Sequence, residues 1–105
     1  MHLPKEVLED IVKRVVIAAR PVRIILFGSA ARGKMGPNSD VDLLVIRRGA
    51  SRRGKITESI YRKLRGAAAA VDVVVVTPEE VERYRDDPYL VIAQALREGK
   101  AVYGA

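Results

Sequence analysis

Three aspartates and a Gly-Ser pair are the residues of this chain whose types and spacing can do chemistry. Asp40 and Asp42 straddle the start of an apolar run that continues through Leu43-Leu44-Val45-Ile46. In an extended strand alternate side chains share a face, so the two carboxylates project together, one pleat apart. Such a pair repels itself, and each member is costly to bury unpaired. Folding alone has no use for the arrangement. A divalent cation resolves it, and Mg²⁺ in particular is held by one or two carboxylates together with substrate phosphates. Asp72 stands at the start of a later run, Val71-Asp72-Val73-Val74-Val75-Val76, and Gly28-Ser29 follows a third, Val22 to Phe27. A glycine there lets backbone approach a phosphate, and the amides after it, the Ser29 hydroxyl and a helix N-terminus are phosphate-binding groups. The structural alternatives are plain ones: Asp40 as a turn residue, Asp42 as a solvated strand end, Asp72 as an ordinary strand-start residue.

The stretch Gly28-Ser-Ala-Ala-Arg-Gly33-Lys34 also satisfies Gly-x-x-x-x-Gly-Lys, the opening of a P-loop. The next position must then be Ser or Thr to hold Mg²⁺, and it is Met35. A P-loop also belongs to a larger parallel sheet than this length provides, so the match reads as chance.

The elements that must position these groups follow from periodicity and punctuation. Leu8, Ile11, Val12, Val15 and Val16 fall on one helical face, with Pro4 in the first turn and Pro21 as the stop. The run 22–27 is a strand ended by Gly28, residues 29–34 a short helix capped by Ser29, and 35–39 a turn. A second strand covers 40–46. Residues 47–55 form a basic loop, after which Ile56, Ile60, Tyr61 and Leu64 mark a helix. The third strand is 71–76. Thr77, Pro78 and Glu80 then spell a capping box, and a last helix from Tyr89 to Leu96 precedes a terminal strand at 101–103. The connection between the first two strands is too short for a helical crossover, so they run antiparallel; the second and third are joined by a helix and run parallel. Gly28-Ser29, Asp40, Asp42 and Asp72 therefore converge at one sheet edge. The expected class is α/β (α+β), a small mixed sheet of three to four strands flanked by helices.

Length and charge bound the function. At 105 residues the chain is one domain, 1–105, which excludes multi-domain enzymes as complete molecules. A hydrophobic share of 49% marks it as a folding chain and not a disordered one. With no cysteine it has no disulfides, no thiolate metal sites and no cysteine nucleophile. No apolar run approaches the ~20 residues of a membrane span and the N-terminus lacks a signal-peptide core, so the expected location is the cytoplasm, with no membrane contact. The net charge of +6 favours polyanionic partners, whether nucleotide, RNA or an acidic protein face. Between Ile11 and Pro78 fourteen Lys or Arg accompany only four carboxylates, Asp40, Asp42, Glu58 and Asp72. Three of those four sit at strand starts, where solubility does not require them. His2, the one histidine, lies at the terminus and is given no role.

Gly28-Ser29, ten intervening residues and Asp40-x-Asp42 resemble the signature of the polymerase-β-like nucleotidyltransferase superfamily. The fuller text, Phe27-Gly-Ser-Ala-Ala-Arg-Gly33 followed by Ser39-Asp-Val-Asp-Leu-Leu-Val45, is similar to its minimal nucleotidyltransferase (MNT) branch over nearly the whole chain. The resemblance implies that Gly28 and Ser29 hold a triphosphate and that Asp40 and Asp42 bind Mg²⁺. It implies that Asp72 completes a two-ion metal site and helps deprotonate the attacking hydroxyl, with ATP as substrate. Arg32 matches the family's Ala-Arg-Gly continuation and reads either as a phosphate-steadying group or as a surface helix residue.

Many members of that branch are antitoxins that silence a helical HEPN-type RNase toxin by transferring AMP from ATP to a toxin tyrosine. Three functions are thus expected in order: a protein adenylyltransferase antitoxin, a nucleotide-dependent module that inhibits stoichiometrically, and a nucleotidyltransferase acting on RNA ends. The exposed apolar residues near the C-terminus, Tyr89, Leu90, Val91 and Ile92, are either a partner surface or ordinary helix core.

Overall fold

The computed structural model describes residues 3–36, 40–49, 51–87 and 90–104. Of the sequence expectations, His2, Ser39 and Tyr89 lie outside the described residues, as does part of the turn at 35–39.

The chain runs α1 (Lys5–Ala19), β1 (Arg23–Phe27), α2 (Gly28–Ala31), β2 (Val41–Ile46), α3 (Arg53–Lys63), β3 (Val71–Val76), α4 (Pro78–Tyr84), α5 (Val91–Glu98) and β4 (Lys100–Tyr103). The strands form one four-stranded sheet in the order β3-β2-β1-β4. β1 is antiparallel to both neighbours, whereas β2 and β3 are parallel, joined over one face by α3. This is the expected mixed α/β sheet flanked by helices, and the terminal strand takes the free edge of β1. The antiparallel setting of β1 disposes of the P-loop alternative, which requires a strand in a parallel sheet feeding a helix.

Alternation along each strand sorts the core into two layers. Ile24, Leu26, Val41, Leu43, Val45 and Val73 face one way and pack under Ile11 and Val15 of α1 and Ile60 of α3. Ile25, Phe27, Leu44, Ile46 and Val76 face the other way, against Val81 of α4 and Ile92 and Ala95 of α5. Ile92 is therefore core, while Leu90 beside it is 37% exposed. Asp42 and Asp72 have the parity of the second layer but lie one pleat beyond Leu44 and Val74 on their own strands, at the end of the sheet where β2 and β3 begin.

Beyond small shifts of element ends, such as β2 starting at Val41 and not at Asp40, three local details depart from expectation. Pro4 precedes the first turn of α1 as its N-cap and is not inside it. Ser29 lies within α2, whose N-cap is the extended Phe27 with no side-chain cap, so the hydroxyl is left free of that duty. The basic stretch 47–55 is only partly loop, because α3 already begins at Arg53. Its cations are partly consumed by the fold: Arg47 donates to the Ala19 carbonyl at 3.2 Å, closing the end of α1, and Arg53 pairs with Glu80 at 2.9 Å. The capping box at α4 is as read from sequence. Glu80 N–H donates to the Thr77 hydroxyl at 3.1 Å, and Thr77 N–H donates back to the Glu80 carboxylate at 2.8 Å. Arg14 ties α1 to the end of α3, donating to the carbonyls of Lys63 and Arg65, which have no acceptor role left inside the helix.

Candidate active site

The site is built where β1 leaves the sheet and β2 and β3 enter it. In the β1–β2 register Phe27 lies opposite Asp42, so Gly28 arrives directly beside the Asp42 side chain. Gly28 has φ +74°, a conformation that favours glycine, and a β-carbon placed on it would overlap the Asp42 carboxylate. Both the turn and the contact therefore require glycine. After it, α2 is a single turn whose first amides have no acceptor within the helix. Ser29 is half-buried on that turn, and its carbonyl accepts from Lys34 N–H at 2.9 Å, fixing the return of the chain.

β2 and β3 run in parallel register with Asp42 opposite Asp72. Adjacent strands lie ~4.8 Å apart, so two carboxylates on one face at the same level are electrostatic neighbours. Asp40 stands one residue ahead of β2, exposed, at a point pinned by the Val41 N–H bond to the Ala70 carbonyl at 2.8 Å. The electrostatics record the convergence. The Asp42 carboxyl is held above its ordinary value of 3.8, first by burial, then by the charge of Asp72, then by that of Asp40.

Those oxygens suit a hard divalent cation. Among the described residues no three acidic, His or Cys side chains stand pre-assembled as a metal-binding set. What the fold supplies is the convergence of Asp40, Asp42 and Asp72 at one sheet end, with a repulsion centred on Asp42 that a cation would relieve. The residues present therefore fit Mg²⁺.

Arg32, the remaining residue singled out from sequence, is not gathered to the carboxylates. It ends α2, and its guanidinium lies 3.4 Å from Glu98 of α5 in an exposed pair.

Sequence reasoning missed Tyr61. From α3 its hydroxyl donates to Asp72 Oδ1 at 3.1 Å and accepts the Val73 N–H at 2.9 Å. Burial chiefly, and the Asp72 carboxylate as well, push its pKa above 10.0 against the opposing pull of the Val73 N–H. Nothing in the local sequence marks this contact, since Tyr61 has the spacing of an ordinary helix-face residue. Only the parallel β2–β3 pairing, which carries α3 along the outer side of β3, reveals it.

A surface groove of about 490 Å³ lies elsewhere, between α1 and β4, where Leu8, Val12, Val16, Ile17, Val102 and Tyr103 line it. It contains none of the groups just described.

Comparison with known proteins gives the chain a family and a set of structural neighbours. The family model described as "Nucleotidyltransferase domain" matches residues 5–102. No curated protein matches the chain significantly. Among solved structures, an inferred nucleotidyltransferase from Sulfolobus solfataricus is 27% identical, with a TM-score of 0.55 over 74% of this chain and 70% of that one. A double Asp-to-Glu mutant of the MntA-HpeT toxin-antitoxin pair superposes at a TM-score of 0.66 and 20% identity, over 92% of this chain and 73% of that one. A toxin-antitoxin structure with AMP-PNP gives 0.55 and 22% over the same shares. The last two share the fold. With a family model matching residues 5–102, from α1 into β4, the chain belongs to the nucleotidyltransferase domain family.

Proposed function

We propose that this nucleotidyltransferase moves AMP from ATP to a tyrosine hydroxyl of a small helical HEPN-type RNase toxin and so acts as its antitoxin, in the MNT branch of the polymerase-β-like superfamily. The observation that carries the reading is the closure of Gly28 on Asp42 with Asp72 in register beside it. A phosphate-approaching turn and a carboxylate cluster thus share one sheet end. The partner is suggested by the solved relatives, one a toxin-antitoxin pair and another a toxin-antitoxin with AMP-PNP.

In this reading Gly28 and Ser29 receive the triphosphate through the backbone and hydroxyl of the turn. Asp40, Asp42 and Asp72 would hold two Mg²⁺ ions, which would supply charge neutralisation on the triphosphate and a lowered pKa at the acceptor hydroxyl. Asp72, nearest the open edge, accepts the hydroxyl proton as the oxygen attacks the α-phosphorus. The β-phosphate oxygen departs with pyrophosphate on the side of Gly28. In-line transfer needs positioning and charge stabilisation more than covalent catalysis. Arg32 joins the phosphate only by exchanging Glu98 for it, and an exposed pair of this kind costs under ~1 kcal/mol to break.

The test is intact-mass spectrometry of the partner after incubation with the chain, ATP and Mg²⁺. Addition of AMP units to a partner tyrosine is the expected result. A partner that is bound and inhibited but never gains mass assigns the chain to stoichiometric inhibition. Mass gained by RNA with the partner untouched assigns it to RNA ends.

A further inference from the structure

Across the open end of the sheet the relevant groups stand in one order: the Gly28 turn after β1, Asp42 on β2, Asp72 on β3, and beyond the edge strand the Tyr61 hydroxyl. An in-line displacement at phosphorus needs the attacking oxygen opposite the leaving group. With the leaving pyrophosphate on the Gly28 side, the attacking hydroxyl comes from the β3 side, and Tyr61 already stands there. Its proton points at Asp72 Oδ1, the oxygen that would receive it. One lone pair of the phenol takes the Val73 N–H, and no second donor to it stands among the described residues. The side chain is 39% exposed, so a bound nucleotide can reach it.

We infer that Tyr61 is itself an acceptor: with no partner present, the chain adenylylates its own Tyr61. The inference rests on the adenylyl-transfer reading of the site and deepens it by placing the acceptor side next to β3 and by naming a phenol as the class of acceptor. In the step, Tyr61 Oη forms a bond to the α-phosphorus, the bond from that phosphorus to the bridging oxygen of the β-phosphate breaks, pyrophosphate leaves, and the phenolic proton passes to the Asp72 carboxylate. Among the described residues Tyr61 is the one phenol beside Asp72, so transfer to it adds one AMP per chain. The other described tyrosines are differently placed. Tyr84 packs into the second core layer, and Tyr103 lies on β4 at the far edge of the sheet.

The whole chain, incubated alone with ATP and Mg²⁺, tests this. Intact mass should rise by one AMP unit, and fragmentation of tryptic peptide 56–62 should place it on Tyr61, distinguishing it from Thr57 and Ser59. The fraction of chains modified per unit time should be independent of protein concentration, as transfer within one molecule requires, and Tyr61→Phe should lose the adduct. Calorimetry of Mg·ATP binding on the same sample separates the two layers of the argument. A chain that binds Mg·ATP yet never carries AMP on Tyr61, or carries it on another residue, overturns the self-acceptor and leaves the site reading standing. A chain that binds no Mg·ATP overturns both. A fractional rate that rises with protein concentration also overturns the proposal, because the acceptor would then belong to another copy.

Discussion

Gly28 and Asp42 occupy space that admits no further carbon: a β-carbon on the glycine would overlap the aspartate carboxylate. The contact joins the end of β1 to the start of β2 through the antiparallel register. Gly28→Ala should therefore displace Asp42 as well as strain the turn at φ +74°. The expected cost is ~1–3 kcal/mol of stability by denaturant titration. Mg·ATP affinity should fall at least about tenfold by calorimetry, and unchanged affinity would separate the turn from the nucleotide.

Asp42→Asn should have opposite effects on stability and binding. The native carboxyl titrates above 3.8, so ionising it opposes folding. Its contribution is least unfavourable below 3.8 and worsens as pH rises through its elevated folded value. At pH 7 the variant should melt a few degrees higher than the native chain, with the difference vanishing near pH 3. It should also lose the stabilisation that Mg·ATP gives the native chain. A variant that melts no higher at pH 7 would show that Asp72 and Asp40 do not press on Asp42.

Asp72→Ala separates transfer from binding. In the proposed mechanism Asp72 meets the hydroxyl proton, so rate should fall by ~10² or more. Mg·ATP affinity should change by less than about tenfold, because Asp40 and Asp42 remain. Equal losses in both measurements would make Asp72 a metal ligand without a proton-accepting role.

The capping box gives a structural control away from the carboxylates. Thr77→Ala removes the acceptor for Glu80 N–H and should cost ~1 kcal/mol. Glu80 titrates below its ordinary 4.5, chiefly through the Thr77 N–H it accepts, with Arg53 adding to the shift. Its stabilisation is therefore present above 4.5 and lost as pH falls through the lower folded value. Glu80→Gln should destabilise the chain at pH 7 and be close to neutral at pH 2, read by thermal melting.

Met35→Thr completes the P-loop text at the residue where it breaks. Because β1 is antiparallel to both neighbours, this substitution should leave Mg·ATP affinity unchanged within about twofold. A large gain would revive that alternative.

The first three strands were legible because each is a short run dominated by apolar, mostly β-branched residues and followed by Gly28, Arg47 or the Thr77-Pro78 cap. Their directions followed from connection length alone: ten or so residues cannot cross a sheet, and a helix can. Hence the convergence of Gly28, Asp42 and Asp72 was also readable. The start of α3 at Arg53 was not, because Arg52 takes φ +62° immediately before it and no capping side chain announces the turn. Arg32 was misleading for a different reason. Its motif position is local, but its ion-pair partner, Glu98, is 66 residues away. The Tyr61–Asp72 contact has the same non-local character, depending on how a crossover helix settles against a strand.

β3 is a valine-rich strand at the edge of the sheet, and such an edge is a template on which another chain can pair. Its Val73 N–H points outward, where the Tyr61 hydroxyl takes it, and the neighbouring Asp72 adds a charge that a second strand would have to bury. One tyrosine and one aspartate thus make the opening of the site unfit for strand addition. The edge can stay uncovered for an incoming hydroxyl without becoming a point of aggregation.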